Sequence, residues 1–115
     1  MDLPAGTASR RAQTPRLDTH YIEGGNPDGA PIVFVQGNLA SARFFEHLFG
    51  ALGDYRLIAP DMRGFGDSEA ATIDATRGLR DWADDTRALV EHLGIDRKVH
   101  LVGWSTGGAA IANYA

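Results

Sequence analysis

The chain has 115 residues, no cysteine and a formal net charge of −4, and its length fits a single domain. With 11 basic against 15 acidic residues, it lacks the positive charge of a nucleic-acid-binding protein. The absence of cysteine excludes a disulfide scaffold, a thiolate metal site and a cysteine nucleophile. No apolar run approaches the roughly 20 residues that cross a bilayer. We therefore expect a cytoplasmic protein with no membrane partner, and we predict no cofactor and no metal.

The beginning of the chain shows no hydrophobic periodicity. Residues 1–16 are small, polar and basic and include Pro4 and Pro15, which predicts a flexible tail. Residues 17–115 are then expected to form the folded unit. Within it, residues 17–23 predict a short strand, and the glycine- and proline-rich segment that follows predicts a turn.

Three short apolar runs alternate with helical patterns in the rest of the chain. The runs have no polar alternation, which is typical of strands buried on both faces; they occupy residues 32–35, 57–59 and 99–102. Apolar residues at helical spacing predict helices over 41–52 and 79–93, and a run of small residues predicts a third helix over 106–115. This alternation predicts an α/β fold, a parallel sheet with flanking helices.

The 79–93 helix has the clearest pattern. Trp82 and Leu89 belong to its apolar stripe, and Gly94 stands where a C-terminal cap is expected. The charged positions, Asp81 and Asp85 among them, are predicted to take the opposite, solvent-facing side.

The strongest chemical motif joins the last predicted strand to the last helix. It reads Gly103-Trp104-Ser105-Thr106-Gly107, the G-x-S-x-G pattern of a nucleophile elbow. In such a turn the serine backbone is strained and the two flanking glycines leave no room for side chains. The helix N-terminus behind the serine would stabilise a developing oxyanion. The alternative is a glycine-rich turn with an incidental serine.

A second glycine follows the first buried strand, in Gln36-Gly37-Asn38. A glycine there lets the backbone approach a ligand, so the backbone N–H groups of Asn38 and Thr106 are candidate oxyanion donors. The alternative is that Gly37 is an ordinary turn glycine.

Three motifs in this order resemble the N-terminal half of the α/β-hydrolase superfamily. They are Val33 to Asn38, Asp61 to Ser68 and Val102 to Gly108, and the resemblance covers residues 17–115. It implies an α/β-hydrolase fold truncated after the elbow helix, with Ser105 as the nucleophile towards an ester-like acyl substrate. It also implies that Asn38 and Thr106 supply the oxyanion donors and that Asp61 and Arg63 brace their loop. A serine at the elbow disfavours the related dehalogenases and epoxide hydrolases, which use aspartate there.

Two further residues within these motifs bear on the site. Trp104 precedes the nucleophile and is a candidate substrate-binding residue; the alternative is that it fills space beside the sheet. Gln36 stands where many members of the superfamily have histidine, and a glutamine can still hydrogen-bond to hold the loop.

After Ser105 the chain departs more seriously from the superfamily pattern than it does at Gln36. In the superfamily, the catalytic residues follow the order serine, then an acid, then histidine. Residues 106–115 contain neither an acid nor a histidine. His100 lies about 16 Å below Ser105 at roughly 3.3 Å per residue, too far for a general base. The other histidines have no supporting pattern; they are His20, His47 and His92.

Two hypotheses follow for function. The leading one is a serine hydrolase that forms an acyl-enzyme at Ser105, with the 115-residue chain inactive alone. The alternative is a non-catalytic fragment or binding module with the same fold. A nucleotide-binding domain fits the strand–helix pattern but lacks both phosphate-binding fingerprints. We also expect an exposed sheet edge, covered by the missing C-terminal half or by another copy.

Overall fold

The computed structural model describes residues 3, 6–36 and 45–115, without the side chains of residues 46, 47 and 75. Its strands are β1 (Thr7–Gln13), β2 (Asp18–Gly25), β3 (Pro31–Val35), β4 (Arg56–Pro60) and β5 (His100–Gly103). Its helices are α1 (Glu46–Phe49), α2 (Arg80–His92) and α3 (Thr106–Tyr114), with short 3-10 turns at Gly50–Leu52 and Ala75–Arg77. Within the described residues, no helix is long and apolar enough to span a membrane.

The five strands form one mixed sheet in the order β1-β2-β4-β3-β5. The predicted parallel pairing is confirmed for the three buried runs, since β3 runs parallel to both β4 and β5. It is wrong for the N-terminal part, where β1 pairs antiparallel with β2 and β2 pairs antiparallel with β4. The hairpin formed by β1 and β2 therefore extends the sheet on the side away from β5.

The flexible tail predicted for residues 1–16 is wrong for residues 7–16. The seven residues of β1 pair with β2 from Thr7 opposite Gly24 to Gln13 opposite Asp18. Thr14 then closes the turn, because its hydroxyl donates to the Leu17 carbonyl at 3.1 Å. The polar composition misleads here because an edge strand can expose charged side chains and still complete its backbone ladder.

Apolar side chains cover both faces of β3. On one face Phe34 contacts Phe45 and Phe49, with ring centroids 5.1 and 5.6 Å apart. On the other face lie Val33 and Val35, in the core that includes residues of α2 and α3. This two-sided burial explains why the β3 run has no polar alternation. Of the helix predicted over 41–52, the structure gives α1 and its 3-10 turn, while residues 41–44 lie outside the described part.

Helix α2 carries the predicted apolar stripe, with Trp82 and Leu89 buried. The prediction that Asp81 and Asp85 face solvent is wrong, since the two residues are only 5% and 4% exposed. Both carboxylates are paired with arginines from other segments, which is what allows a charge to be buried.

Candidate active site

The ends of three parallel strands meet at one edge of the sheet. Register places Val35 beside Gly103 at the ends of β3 and β5, and β4 ends next to β3 at Pro60. The segments predicted to carry chemistry follow directly: Gln36, the loop 61–68 and the turn 103–107. Gly37 and Asn38 lie outside the described residues.

Ser105 occupies the sharp turn between β5 and α3. Its backbone has φ 56° and ψ −120°, and it is the only non-glycine residue with positive φ in the described part of the chain. Such a conformation costs on the order of 1–3 kcal/mol and persists only where the surroundings enforce it. Ser105 is exposed at the sheet edge.

Close backbone packing enforces this turn. A Cβ atom added to Gly107 would lie 2.1 Å from the Val35 carbonyl oxygen, and one added to Gly103 would lie 2.7 Å from the Gly107 carbonyl oxygen. The prediction that these two glycines leave no room for side chains is confirmed. Gly108 differs, because a Cβ there would meet nothing within 4 Å.

The N-terminus of α3 lies immediately behind the serine. Thr106 is its first residue, and the next two N–H groups are used inside the turn: Gly107 donates to the Trp104 carbonyl and Gly108 to the Ser105 carbonyl, both at 2.9 Å. The Trp104 N–H donates to Val35 at 3.1 Å, which ties the turn to β3. The Trp104 residue itself is 57% exposed, so it is not a core residue.

The loop after β4 folds around the Asp61 carboxylate. Its Oδ2 atom accepts from the Asp67 N–H at 2.9 Å and lies 2.7 Å from His20 Nδ1. Ser68 Oγ donates to the Asp61 carbonyl at 2.7 Å. A Cβ at Gly66 would lie 2.2 Å from the Asp61 carboxylate, so the loop passes tightly over it. These contacts are all with the loop itself or with β2.

Arg63 ties the same loop to α2. Its Nε and Nη2 atoms donate to the two oxygens of Asp85, each at 2.9 Å, and Nη1 donates to the Thr72 carbonyl at 2.7 Å. The hydrogen bonds to Asp85 raise the pKa of the Arg63 guanidinium. Arg16, from the turn between β1 and β2, donates to Asp85 at 3.0 Å and to Asp81 at 3.1 Å. One face of α2 thus binds both the turn between β1 and β2 and the loop after β4.

The Asp81 carboxylate completes this network. It accepts from the Asp74 backbone N–H at 2.8 Å and pairs with Arg77. The hydrogen bond from Asp74, followed by the charge of Arg77, lowers the pKa of Asp81 despite the opposing effect of burial. Asp81 is therefore held ionised at neutral pH.

His20 has a structural setting that the sequence did not indicate. It is buried, with Nε2 2.6 Å from Ser9 Oγ and Nδ1 bonded to Asp61. His20, Asp61 and Asp67 form a cluster in which the atoms able to bind a metal ion lie within 4.8 Å of one another. Each ring nitrogen of His20 already has a protein partner, and hydrogen bonding alone accounts for the arrangement. No local signal could have found it, since His20 and Asp61 are 41 positions apart.

The other histidines lie in different places. His100 begins β5, at the opposite end of the strand from Ser105, and its ring packs edge-on against Tyr55 at 6.4 Å. His92 is the exposed last residue of α2. The side chain of His47 is outside the description.

A strained serine that joins a parallel strand of a sheet to a following helix is the architecture of a nucleophile elbow. The sequence model of the alpha/beta hydrolase fold family matches residues 30–115, and the chain belongs to that family. It is 37% identical over 97 residues to a soluble epoxide hydrolase of Corynebacterium sp. (strain C12), covering 84% of this chain and 32% of that protein. It is 32% identical to 2-hydroxy-6-oxo-6-phenylhexa-2,4-dienoate hydrolase of Comamonas testosteroni, covering 99% of this chain and 42% of the relative.

Solved structures show the same fold. An aryl esterase described as putative, from Burkholderia cenocepacia, superposes with a TM-score of 0.80 at 38% identity, over 93% of this chain and 40% of its own. A lipase, also described as putative, from Acinetobacter baumannii AYE superposes with a TM-score of 0.88 at 25% identity, over 96% and 37%. The chain spans between about a third and two fifths of the length of these proteins.

Proposed function

We propose that this chain is the N-terminal part of a serine hydrolase whose nucleophile is Ser105, acting on an ester-like acyl substrate. The observation that carries the proposal is the positive φ of Ser105, held by the close approach of Gly107 to β3. A strained serine at the carboxyl end of a parallel strand, in front of a helix N-terminus, is arranged for nucleophilic attack. The relatives of this chain include hydrolases with different chemistries. A serine at the elbow favours an acyl-transfer reaction over the chemistry of relatives that use aspartate there.

In the proposed reaction, Ser105 Oγ bonds to the substrate carbonyl carbon while its proton passes to a general base. The carbonyl oxygen becomes an oxyanion, for which the backbone N–H groups of Thr106 and Asn38 are the proposed donors. The tetrahedral intermediate then expels the alcohol, which takes the proton from the base and leaves an acyl-enzyme. Water then attacks the acyl carbon and gives its proton to the same base. The bond to Ser105 Oγ breaks, the carboxylic acid leaves, and the base returns the proton to the serine.

The base and its acid partner are not among residues 106–115, so the proposal requires them from the rest of the whole protein. The length of the relatives allows for this. Strand β5 lies at the edge of the sheet, with Val102 39% exposed, and we propose that the remaining half of the domain, or another copy of the chain, covers it. Trp104, beside the nucleophile and exposed, is the proposed wall of the acyl pocket.

A fluorophosphonate probe tests the nucleophile directly. In the full product of the reading frame that contains residues 1–115, called the whole protein below, we expect covalent labelling of Ser105 and its loss in Ser105→Ala. The isolated 115-residue chain should show no labelling above background, because the proposal takes the base that activates the hydroxyl from the rest of the whole protein. If the whole protein were also unlabelled under conditions that label a control esterase, the non-catalytic alternative would replace the enzyme.

A further inference from the structure

A serine, a histidine and an aspartate lie in line at the β1–β2 hairpin, at the edge of the sheet away from β5 and the elbow. His20 Nε2 lies 2.6 Å from Ser9 Oγ, and His20 Nδ1 lies 2.7 Å from Asp61 Oδ2. Ser9 is exposed, whereas His20 and Asp61 are only 8% and 3% exposed. Hydroxyl, imidazole and carboxylate thus follow one another at hydrogen-bonding distance, in the order of a catalytic triad.

The sheet register brings these three side chains together. Arg11 pairs with His20 across the hairpin, and Ser9 lies two residues before Arg11, so Ser9 and His20 share one face of the sheet as diagonal neighbours. Asp61 follows β4, and its backbone N–H donates to the His20 carbonyl at 2.8 Å. Backbone pairing between three strands therefore holds the three side chains in place.

The hydrogen bonds determine which nitrogen of His20 carries the proton. A carboxylate only accepts hydrogen bonds, and Asp61 Oδ2 already accepts one from the Asp67 N–H at 2.9 Å. His20 Nδ1 must therefore be the protonated nitrogen that donates to Asp61, which leaves Nε2 to accept from the Ser9 hydroxyl. A general base for a serine requires this tautomer, with the carboxylate orienting the imidazole.

We propose that Ser9 is a second acyl-accepting site, activated by His20 and Asp61, for activated acyl donors such as aryl esters. Ser9 Oγ bonds to the acyl carbon while its proton passes to His20 Nε2, and the buried carboxylate stabilises the imidazolium. The bond to the leaving group then breaks, the leaving group takes the proton from His20, and Ser9 remains as an ester. The proposal does not use Ser105.

The setting of Ser9 implies a slow, stoichiometric reaction. Ser9 lies within an edge strand, whereas Ser105 lies in a strained turn in front of a helix N-terminus. Lack of an oxyanion donor costs on the order of 10²–10³ in rate, so we expect acylation of Ser9 only by activated donors at high concentration. Hydrolysis of the ester needs the same stabilisation, so the acyl group should stay on Ser9. A fluorophosphonate labels the elbow serine long before Ser9 reacts.

The first experiment treats the whole protein carrying Ser105→Ala with p-nitrophenyl acetate at neutral pH. Mass spectrometry of its peptides follows acetylation at each residue. Thr76 is the internal control, because it is also exposed and its hydroxyl donates to the Asp74 carboxylate at 2.6 Å, a weaker base than imidazole. Ser9 should be acetylated about 10- to 100-fold faster, as general-base catalysis allows. Equal rates at Ser9 and Thr76 would overturn the proposal.

The second experiment adds Asp61→Asn to the same protein. The side-chain amide can donate to His20 Nδ1, which moves the imidazole proton to Nε2 and removes the base from Ser9. Acetylation of Ser9 per folded molecule should fall at least about 10-fold, while Thr76 is unchanged. Asp18→Asn is the matched control, because Asp18 belongs to the same hairpin but pairs with Arg11, and it should leave the Ser9 rate unchanged. A merely exposed serine would react equally in both variants.

A third measurement keeps Asp61 intact and replaces the nucleophile. In Ser9→Cys, His20 should draw the proton from the thiol, and alkylation by iodoacetamide should be about 3- to 10-fold faster than in Gln13→Cys. Gln13 lies on the same strand and face, but its partner across the hairpin is Asp18. Equal alkylation rates would show that His20 is no base for residue 9. Because these tests omit Ser105, their failure would leave the proposed hydrolase untouched, and loss of the hydrolase would leave this site untouched.

Discussion

The elbow and the Arg63–Asp85 network hold neighbouring parts of the same sheet edge by different means. At the elbow, backbone packs against backbone: Gly107 lies so close to Val35 that a single methyl group would not fit. At the loop after β4, side chains bridge segments far apart in sequence, with Arg16 and Arg63 converging on Asp85. The first arrangement depends on the absence of side chains and the second on their charge. The two should therefore fail differently when they are mutated.

The largest effect is expected from Gly107→Ala. The added methyl group would lie 2.1 Å from a backbone oxygen, which no rotamer change can relieve, so the turn must open. We expect loss of Ser105 labelling and a large fall in the melting temperature of the whole protein. Gly108→Ala is the control, because its Cβ meets nothing and alanine is favoured over glycine in a helix by roughly 0.8–1.0 kcal/mol. Equal behaviour of the two variants would contradict close packing at the elbow.

Asp85→Ala should have the next largest effect. It removes the buried partner of Arg63, whose side chain is only 11% exposed, and breaking a buried pair in this way costs about 3–5 kcal/mol. Asp84→Ala, one position away on the same helix, removes a 40% exposed partner of Arg77 and should cost less than about 1 kcal/mol. Urea unfolding of both variants measures the difference. Similar losses would show that burial does not set the strength of this network.

A smaller effect concerns acid stability. The pKa of Asp81 is lowered in the folded protein, so its contribution is complete above the unfolded pKa of about 3.9 and is lost as the pH falls through the folded value. Asp81→Asn should therefore flatten the fall in stability at low pH. Unfolding curves between pH 7 and pH 2 test this, and parallel pH profiles for wild type and variant would refute it.

The smallest effect has the opposite sign. Ser105→Gly relieves the positive φ of the elbow, partly offset by the greater freedom of glycine in the unfolded chain, and should stabilise the protein by about 1 kcal/mol. The same variant should lose all labelling. A decrease in melting temperature would mean that the turn stores no strain at Ser105.

The sequence predicts the elbow well because its determinants are local. Glycines two residues before and after a serine, between a strand and a helix, specify the turn without distant partners. The sequence is less informative about β1. Its polar composition, with Arg10 and Arg11, is also typical of a disordered segment, and only the pairing with β2 shows that it is an edge strand.

The buried acids were predictable in part. Asp85 lies three positions after Trp82 and four before Leu89, which places it on the buried stripe of α2. The helical pattern could therefore have indicated its burial, although its charge favours solvent. Its partners could not be found this way, because Arg16 is 69 positions away and Arg63 is 22. The His20–Asp61 pair was missed for the same reason.

The order of the strands bears on how this molecule folds. The β1–β2 hairpin closes a short loop, whereas β5 pairs with β3 across the whole β4–α2 segment, with Ile32 beside His100. Contacts between residues so distant in sequence form slowly, because the chain loses conformational entropy on closing the long loop before the contact stabilises it. During synthesis the hairpin can form early, while the turn that carries Ser105 must wait until β5 has been made and has found its place. The turn at Ser105 is thus among the last features of this segment to be assembled.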